Sequence, residues 1–171
     1  AVPESVRKRE RVDYVMKYDD SLETLAQHCP ATLSLIVHVC GNDNTMARHF
    51  INWLAAAAQT RDKTLTTFLF QGTQGTGKGL MFDHVITPLF GSKYSRSVTI
   101  EQLEEKFNGY LSETLMLLID EFRHGDSQAT KFLENKLKMF VTEKIMELRL
   151  MHHNSEPTRT FFNTIFFSNN E

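Results

Sequence analysis

The apolar positions of this chain follow two periods. Between residues 45 and 59, Met46, Phe50, Trp53, Leu54, Ala57 and Ala58 recur three or four apart, which predicts an amphipathic helix with one face on a core. Asn42-Asp43-Asn44 just before it is a turn and cap signal. Other stretches alternate, or are apolar throughout. Leu65 to Phe70 predicts a buried strand, and Leu115 to Ile119, apolar on both faces, predicts a central strand of a parallel sheet. From Lys144 to Met151, Met146, Leu148 and Leu150 alternate with Glu147 and Arg149, the pattern of a half-buried strand. Phe161 to Phe167 predicts another strand, and Lys93 to Val98 a shorter one.

Caps and breakers complete the outline. Ser21 caps a helix carrying Leu22, Leu25 and Ala26, which breaks before Pro30. Leu33 to Val39 is a continuous apolar run that suits a strand or a buried helix, and its length does not choose between them. Leu80, Met81, Phe82, Val85 and Ile86 form a helical stripe expected to stop near Pro88, with Gly91 in the turn beyond. Thr99-Ile100-Glu101-Gln102 reads as a capping box opening a helix that includes Leu103 and Phe107 and ends at Gly109. Asp126 caps a further helix with Ala129, Phe132, Leu133, Leu137 and Phe140 on one side. A polar turn, His152 to Thr158, contains Pro157 and separates the last two strands. Strands alternating with helices predict an α/β fold with a central parallel sheet of about five strands. Residues 1–44 form a helical N-terminal segment and 45–171 the core.

The 171 residues fit one domain at about 100–200 residues each. Net charge is −2, so contact with nucleic acid has to come from a local patch. The charged stretch Val6 to Val12 reads first as a solvated helix face, with a linker or a basic contact as alternatives. Cys29 and Cys40 form no C-x-x-C pair, which predicts inert, buried thiols in a reducing compartment such as the cytoplasm of a host cell. No run approaches the roughly 18 apolar residues of a membrane span, and no signal peptide is visible. The His and Cys residues show no zinc-ligand spacing. Neither Ala1 nor Glu171 reads as a natural terminus, so the chain is expected to be a piece of a longer protein.

The chemistry concentrates at strand ends. After the strand ending at Phe70 comes Gln71-Gly72-Thr73-Gln74-Gly75-Thr76-Gly77-Lys78-Gly79, and Gly72 with Gly77-Lys78 fits the phosphate loop G-x-x-x-x-G-K. Convergent backbone N–H groups need glycines that adopt positive φ and leave room for the anion. The following helix presents its positive end, and Lys78 adds a charge for the β- and γ-phosphates. Gly79 stands where Ser or Thr normally places a hydroxyl on Mg²⁺. The strand Leu115 to Ile119 ends in Asp120-Glu121, which sets two carboxylates at the carboxyl edge of the sheet. Asp120 is expected to hold Mg²⁺ through water, and Glu121 to act as general base toward an attacking water. The strand Phe161 to Phe167 ends near Asn169, whose amide suits a γ-phosphate or that water.

Taken in order, Gly72–Gly79, Leu115–Glu121 and Phe162–Asn169 resemble motifs A, B and C of superfamily 3 helicases. Within them the chain resembles the helicase-like ATPase part of phage and plasmid primase–polymerases, where a helix like His49 to Leu54 precedes the loop. The resemblance covers roughly residues 45–170. It implies a P-loop NTPase core of AAA+-like kind, ATP and Mg²⁺ as cofactors, and a homo-oligomeric ring, by family a hexamer. It also implies a primase or polymerase domain in the same parent chain, and single-stranded DNA as partner. A β-hairpin between motifs B and C touches DNA in that family, which points here to His152 and His153 at a tip, with Arg149 and Arg159 on its arms. The family's arginine just after motif C has no counterpart up to Glu171. The expected function is ATP-driven translocation on DNA. The alternatives are another AAA+-type ATPase, such as a loader or initiator, and a non-hydrolysing module that binds nucleic acid or assembles a ring.

Overall fold

The structure, a computed structural model, describes residues 21–105, 107–121, 128–149 and 154–169. Among the described residues, three helices lead into the sheet: α1 (Ser21–His28), α2 (Pro30–Val39) and α3 (Asn44–Thr60). The run that suited strand or helix is helical. Pro30 supplies a preset φ in the first turn of α2, and Ile36 enters the core. Asp43 caps α3 by accepting from the amides of Thr45 (2.7 Å) and Met46 (3.2 Å). The stripe of α3 faces inward: Phe50, Trp53, Leu54 and Ala57 are buried, Ala47 joins them, and Met46 is exposed. Of the two thiols expected to be buried, Cys29 is exposed and Cys40 half-buried. Burial, and then the Asp43 carboxylate, push the Cys40 thiol up to about 11.

Six strands follow among the described residues: β1 (Phe68–Gln71), β2 (Ser95–Val98), β3 (Met116–Ile119), β4 (Ile145–Leu148), β5 (Glu156–Arg159) and β6 (Asn163–Ser168). Among the described residues the parallel sheet has four strands rather than about five, in the order β1-β6-β3-β2. β3 and β6 are buried on both faces. Met116, Leu118, Ile165 and Phe167 meet a core built with α2 and α3, whereas Leu117, Ile119 and Phe166 meet a second core with Leu137, Phe140, Met146 and Leu148. The two-residue pleat divides one continuous apolar run between two hydrophobic layers. β1 begins later than its apolar run, because Leu65 adopts φ +60° and is exposed.

Two helix boundaries differ from the sequence reading. α4 (Lys78–Met81), a π-helical stretch (Phe82–Ile86) and α5 (Thr87–Phe90) make one run, so the helix passes through Pro88. In the widened turn the Thr87 amide donates to Phe82 O, and the π geometry admits a proline that an α-helical ladder tolerates poorly. Thr99 and Gln102 do form a capping box at the start of α6 (Ile100–Glu104), but that helix ends at Glu104. Glu105 is extended, and Asn108 bonds instead to Glu147 O (3.1 Å) and Arg149 N (2.8 Å). Phe107 therefore sits exposed in a loop before the 3₁₀ turn Gly109–Glu113. The cap proposed at Asp126 lies outside the described residues, and its helix is α7 (Gln128–Thr142).

The hairpin also differs. β4 pairs antiparallel with β5, in the register Ile145↔Arg159 and Leu148↔Glu156, while the strand expected as the second arm is β6 of the main sheet. Glu156-Pro157-Thr158-Arg159 reads as a polar turn because it carries no apolar alternation, and a two-stranded ribbon has the open edge that tolerates Pro157. Among the described residues no helix is long and apolar enough to cross a membrane.

Candidate functional site

Parallel strands bring their carboxyl ends to one edge of the sheet. β1 leads into the glycine loop, β3 into Asp120 and Glu121, and β6 into Asn169, with Gln71 level with Ser168 and Ile119 level with Phe166. These segments converge. Gln74 to Leu80 of the loop, Asp120, Glu121, Phe167 and Asn169 line one cleft of about 440 Å³. Lys78, Asp120, Glu121 and Asn169, separate in sequence, thus share a single site.

The loop's shape follows from its glycines. Gly75 and Gly77 adopt φ +86° and +84°, and Gly77 turns the chain into α4. A Cβ at Gly77 would lie 3.0 Å from Leu35 Cδ1, so α2 packs directly on the loop. Gly72 N donates to Ser168 O (3.1 Å), which ties the loop to β6. Lys78 is buried, and its ammonium donates to Gly72 O (2.7 Å), Thr73 O (2.9 Å) and Thr76 Oγ1 (3.3 Å). Thr76 Oγ1 in turn donates to Thr73 O (3.0 Å). The loop's own oxygens hold the charge in place, so an anion has to draw the ammonium away from three acceptors. Gly79 has ordinary helical backbone, and a Cβ there would meet nothing within 4 Å.

On the opposite wall, Asp120 Oδ1 accepts from the Glu121 amide (2.8 Å), and Glu121 adopts φ +57°. A non-glycine residue in that region costs about 1–3 kcal/mol unless its surroundings fix it, and such residues gather at functional sites. Asp120 keeps its second carboxylate oxygen and Glu121 is exposed to the cleft. These hard oxygen donors suit Mg²⁺ held largely through water. Among the described residues no group of three His, Cys, Asp or Glu forms a tighter metal set.

The residues expected to meet DNA are separated. Arg149 follows β4 toward the turn, exposed, with its guanidinium 5.8 Å from the centre of the Phe107 ring. Arg159 stands opposite Ile145 at the base of the hairpin, about 13 Å of strand away from Arg149. There Arg159 pairs with Asp62 (3.3 Å) and covers the Phe161 ring. His152 and His153 lie outside the described residues.

One cluster escaped the sequence reading, which treated residues 60–63 only as a polar connection. Lys63 is buried, donates to Phe140 O and Glu143 O (both 2.6 Å), and lies 4.1 Å from the centre of the Phe162 ring. It satisfies carbonyls that the end of α7 leaves open. Burial pushes its pKa down to about 8, against the opposing pull of Glu143 and Asp62. Asp62 pairs with Lys144 and Arg159 at the hairpin base. Burial raises the Asp62 carboxyl, but the Lys63 amide and the two cations outweigh it and leave its pKa low. Asn163 accepts from Thr64 N (2.8 Å) and donates to Asp62 O (3.0 Å). A lone Lys in a polar connection carries no periodic signal, so only the packing reveals it.

Residues 70–171 match a family described as a family of unknown function, DUF5906. A curated relative is the DNA primase-polymerase of Nitratiruptor phage NrS-1, 29% identical over 136 residues, or 80% of this chain. The chain spans only 19% of that relative's length. The solved apo structure of the NrS-1 C-terminal region superposes with TM-score 0.74 at 29% identity, covering 82% of this chain and 34% of that one. A second apo form of that region gives TM-score 0.70 at 28% identity, with 81% and 33% covered.

Proposed function

This chain belongs to the DUF5906 family, and on that footing we propose that it is the ATP-binding and ATP-hydrolysing part of a phage replication protein that moves along single-stranded DNA. The observation that carries the reading is the meeting of Lys78, Asp120, Glu121 and Asn169 in one cleft at the carboxyl edge of a parallel sheet. The name and length of the NrS-1 relative support a primase or polymerase domain in the same parent chain. A homo-oligomeric ring, by family resemblance a hexamer, belongs to the same reading.

In this reading Gly72 to Gly79 form the phosphate loop of a P-loop core, and their amides cradle the β- and γ-phosphates. Lys78 leaves its loop carbonyls for the phosphate oxygens. Mg²⁺, when bound, neutralises charge on the β- and γ-oxygens. Asp120 would hold that ion through water. Glu121 accepts the proton of a water as the water's oxygen bonds to the γ-phosphorus, and the bridging oxygen leaves with ADP. Asn169 donates its amide to the γ-phosphate and reports its presence. The cleft between β1 and Cys40 to Asn42, about 530 Å³, also touches Thr76 and Lys78 and gives the nucleoside room. Calorimetric titration of ATP into wild type and Lys78→Ala tests this. Binding abolished in the mutant supports the reading, and equal affinity refutes it.

A second reading, a non-hydrolysing module that binds nucleic acid or assembles a ring, is favoured by Gly79 and by the loop's hold on Lys78. A loader or initiator ATPase differs from a translocase by lacking unwinding. Turnover by the parent protein, its stimulation by single-stranded DNA, and unwinding of a duplex separate the three.

A further inference from the structure

The loop glycines do not all have the same reason to be glycine. Gly75 and Gly77 have left-handed backbone, and a Cβ at Gly77 would crowd Leu35 Cδ1 at 3.0 Å. Gly79 has helical backbone and open space where its side chain would be. Almost any residue fits there, and most would favour the helix more than glycine does. The glycine at 79 is therefore not demanded by the fold, and its position on the wall facing Asp120 gives it a chemical consequence.

Among the described residues no neighbouring side chain replaces the missing hydroxyl. Thr76 Oγ1 is engaged with Thr73 O and Lys78 Nζ, and the carbonyls of Gly72 and Thr73 hold that same ammonium. The Thr73 side chain is not part of the cleft wall. On the facing wall, Asp120 Oδ1 is engaged by the Glu121 amide. A small divalent cation at this site meets the carboxylates of Asp120 and Glu121 and otherwise water and phosphate oxygens, with no hydroxyl from the loop, which Mg²⁺ tolerates because it dehydrates reluctantly. The charge for phosphate recognition comes instead from Lys78 and the backbone amides.

We infer that Gly79 uncouples nucleotide binding from the divalent cation: the loop holds the nucleoside triphosphate without metal, and the cation joins afterwards through Asp120 and water. This rests on the phosphate-loop reading above. It makes position 79 the residue that sets metal dependence, and a hydroxyl placed there restores the coupling.

The test compares wild type, Gly79→Ala and Gly79→Thr. A fluorescent ATP analogue is titrated in Mg²⁺ and in EDTA, and Mn²⁺ bound to each protein–ATP complex is measured by electron paramagnetic resonance. Wild type and Gly79→Ala should change Kd by less than about threefold between Mg²⁺ and EDTA, whereas Gly79→Thr should bind nucleotide about tenfold tighter with Mg²⁺ and hold Mn²⁺ tighter to match, at the low end of the roughly 10–100-fold by which single residues supporting a metal site change metal affinity. Gly79→Ala separates the hydroxyl from the added Cβ. If wild type loses nucleotide in EDTA as strongly as Gly79→Thr, or Gly79→Thr holds Mn²⁺ no tighter, the inference is overturned while the loop reading stands. If no protein binds nucleotide in either condition, the loop reading falls and this inference with it.

Discussion

The ammonium of Lys63 lies 2.6 Å from the carbonyl oxygen of Glu143, eighty residues along the chain, and equally close to that of Phe140. One buried cation thus joins the connection before β1 to the end of α7 and the base of the hairpin. Lys63→Met removes both donors and should destabilise the chain by about 1–3 kcal/mol, the cost of unsatisfied buried acceptors. Its pH dependence has a definite sign. The folded pKa is about 8 against an ordinary 10.5, so between these values the unfolded chain binds more protons. In that window this group's contribution to stability rises with pH. The neutral amine still has two N–H donors for the two carbonyls. Urea unfolding should therefore show the deficit of Lys63→Met widening from about pH 7 to about pH 9.5. A deficit that narrows contradicts the burial argument.

Glu121 combines φ +57° with the general-base role proposed for it, so stability and activity should respond oppositely. Glu121→Gly relieves the left-handed backbone and should raise stability by about 1 kcal/mol, while turnover is abolished. Glu121→Gln preserves shape, keeps ATP binding, and should lower turnover in the parent protein by about 10²–10⁴-fold. Thermal unfolding and steady-state hydrolysis check the pair. Turnover of Glu121→Gln within about twofold of wild type would reduce Glu121 to an acidic turn residue.

Asp62 holds Lys144 and Arg159 at the hairpin base through partly exposed ion pairs. Such pairs contribute about 0–1 kcal/mol each, so Asp62→Ala should leave global unfolding nearly unchanged. The local effect should be larger. Hydrogen exchange is expected to quicken at Ile145 to Leu148 and Glu156 to Arg159, and to stay slow in β3 and β6. Uniform quickening across both sheets would show a global role instead.

The hairpin turn is proposed to meet single-stranded DNA through His152, His153 and Arg149, with Arg159 too far down the ribbon to share the same phosphate. Changing His152, His153 and Arg149 together to Ala should weaken binding and lower the salt slope by about 0.7 for each phosphate no longer neutralised. Arg159→Ala should leave that slope unchanged. ATP affinity should be spared, since neither Arg149 nor Arg159 lines the cleft proposed for the nucleotide. Wild-type affinity and slope in the triple mutant would redirect attention to Arg7 to Arg11.

What the sequence by itself determined is local. The stripe of α3, the doubly buried run of β3 and the capping box at Thr99 each follow from side chains a few residues apart, where periodicity reports burial directly. The three segments that line the cleft were legible for the same reason, because glycine, Lys, acid and amide stand at the ends of apolar runs. Only the tertiary structure decided the partners. β5 has no apolar alternation, and it is a strand because β4 lies beside it. β6 takes the place between β1 and β3 because both its faces need covering, which denies it to the hairpin. Arg159 is drawn to Asp62, and Lys63 to α7, by interactions across 97 and about 80 residues, respectively, which no pattern of neighbouring residues encodes. Hydrogen bonding and desolvation act on whatever the fold brings together, so the polar cluster under the hairpin becomes visible only once α7 and the connection before β1 share one core.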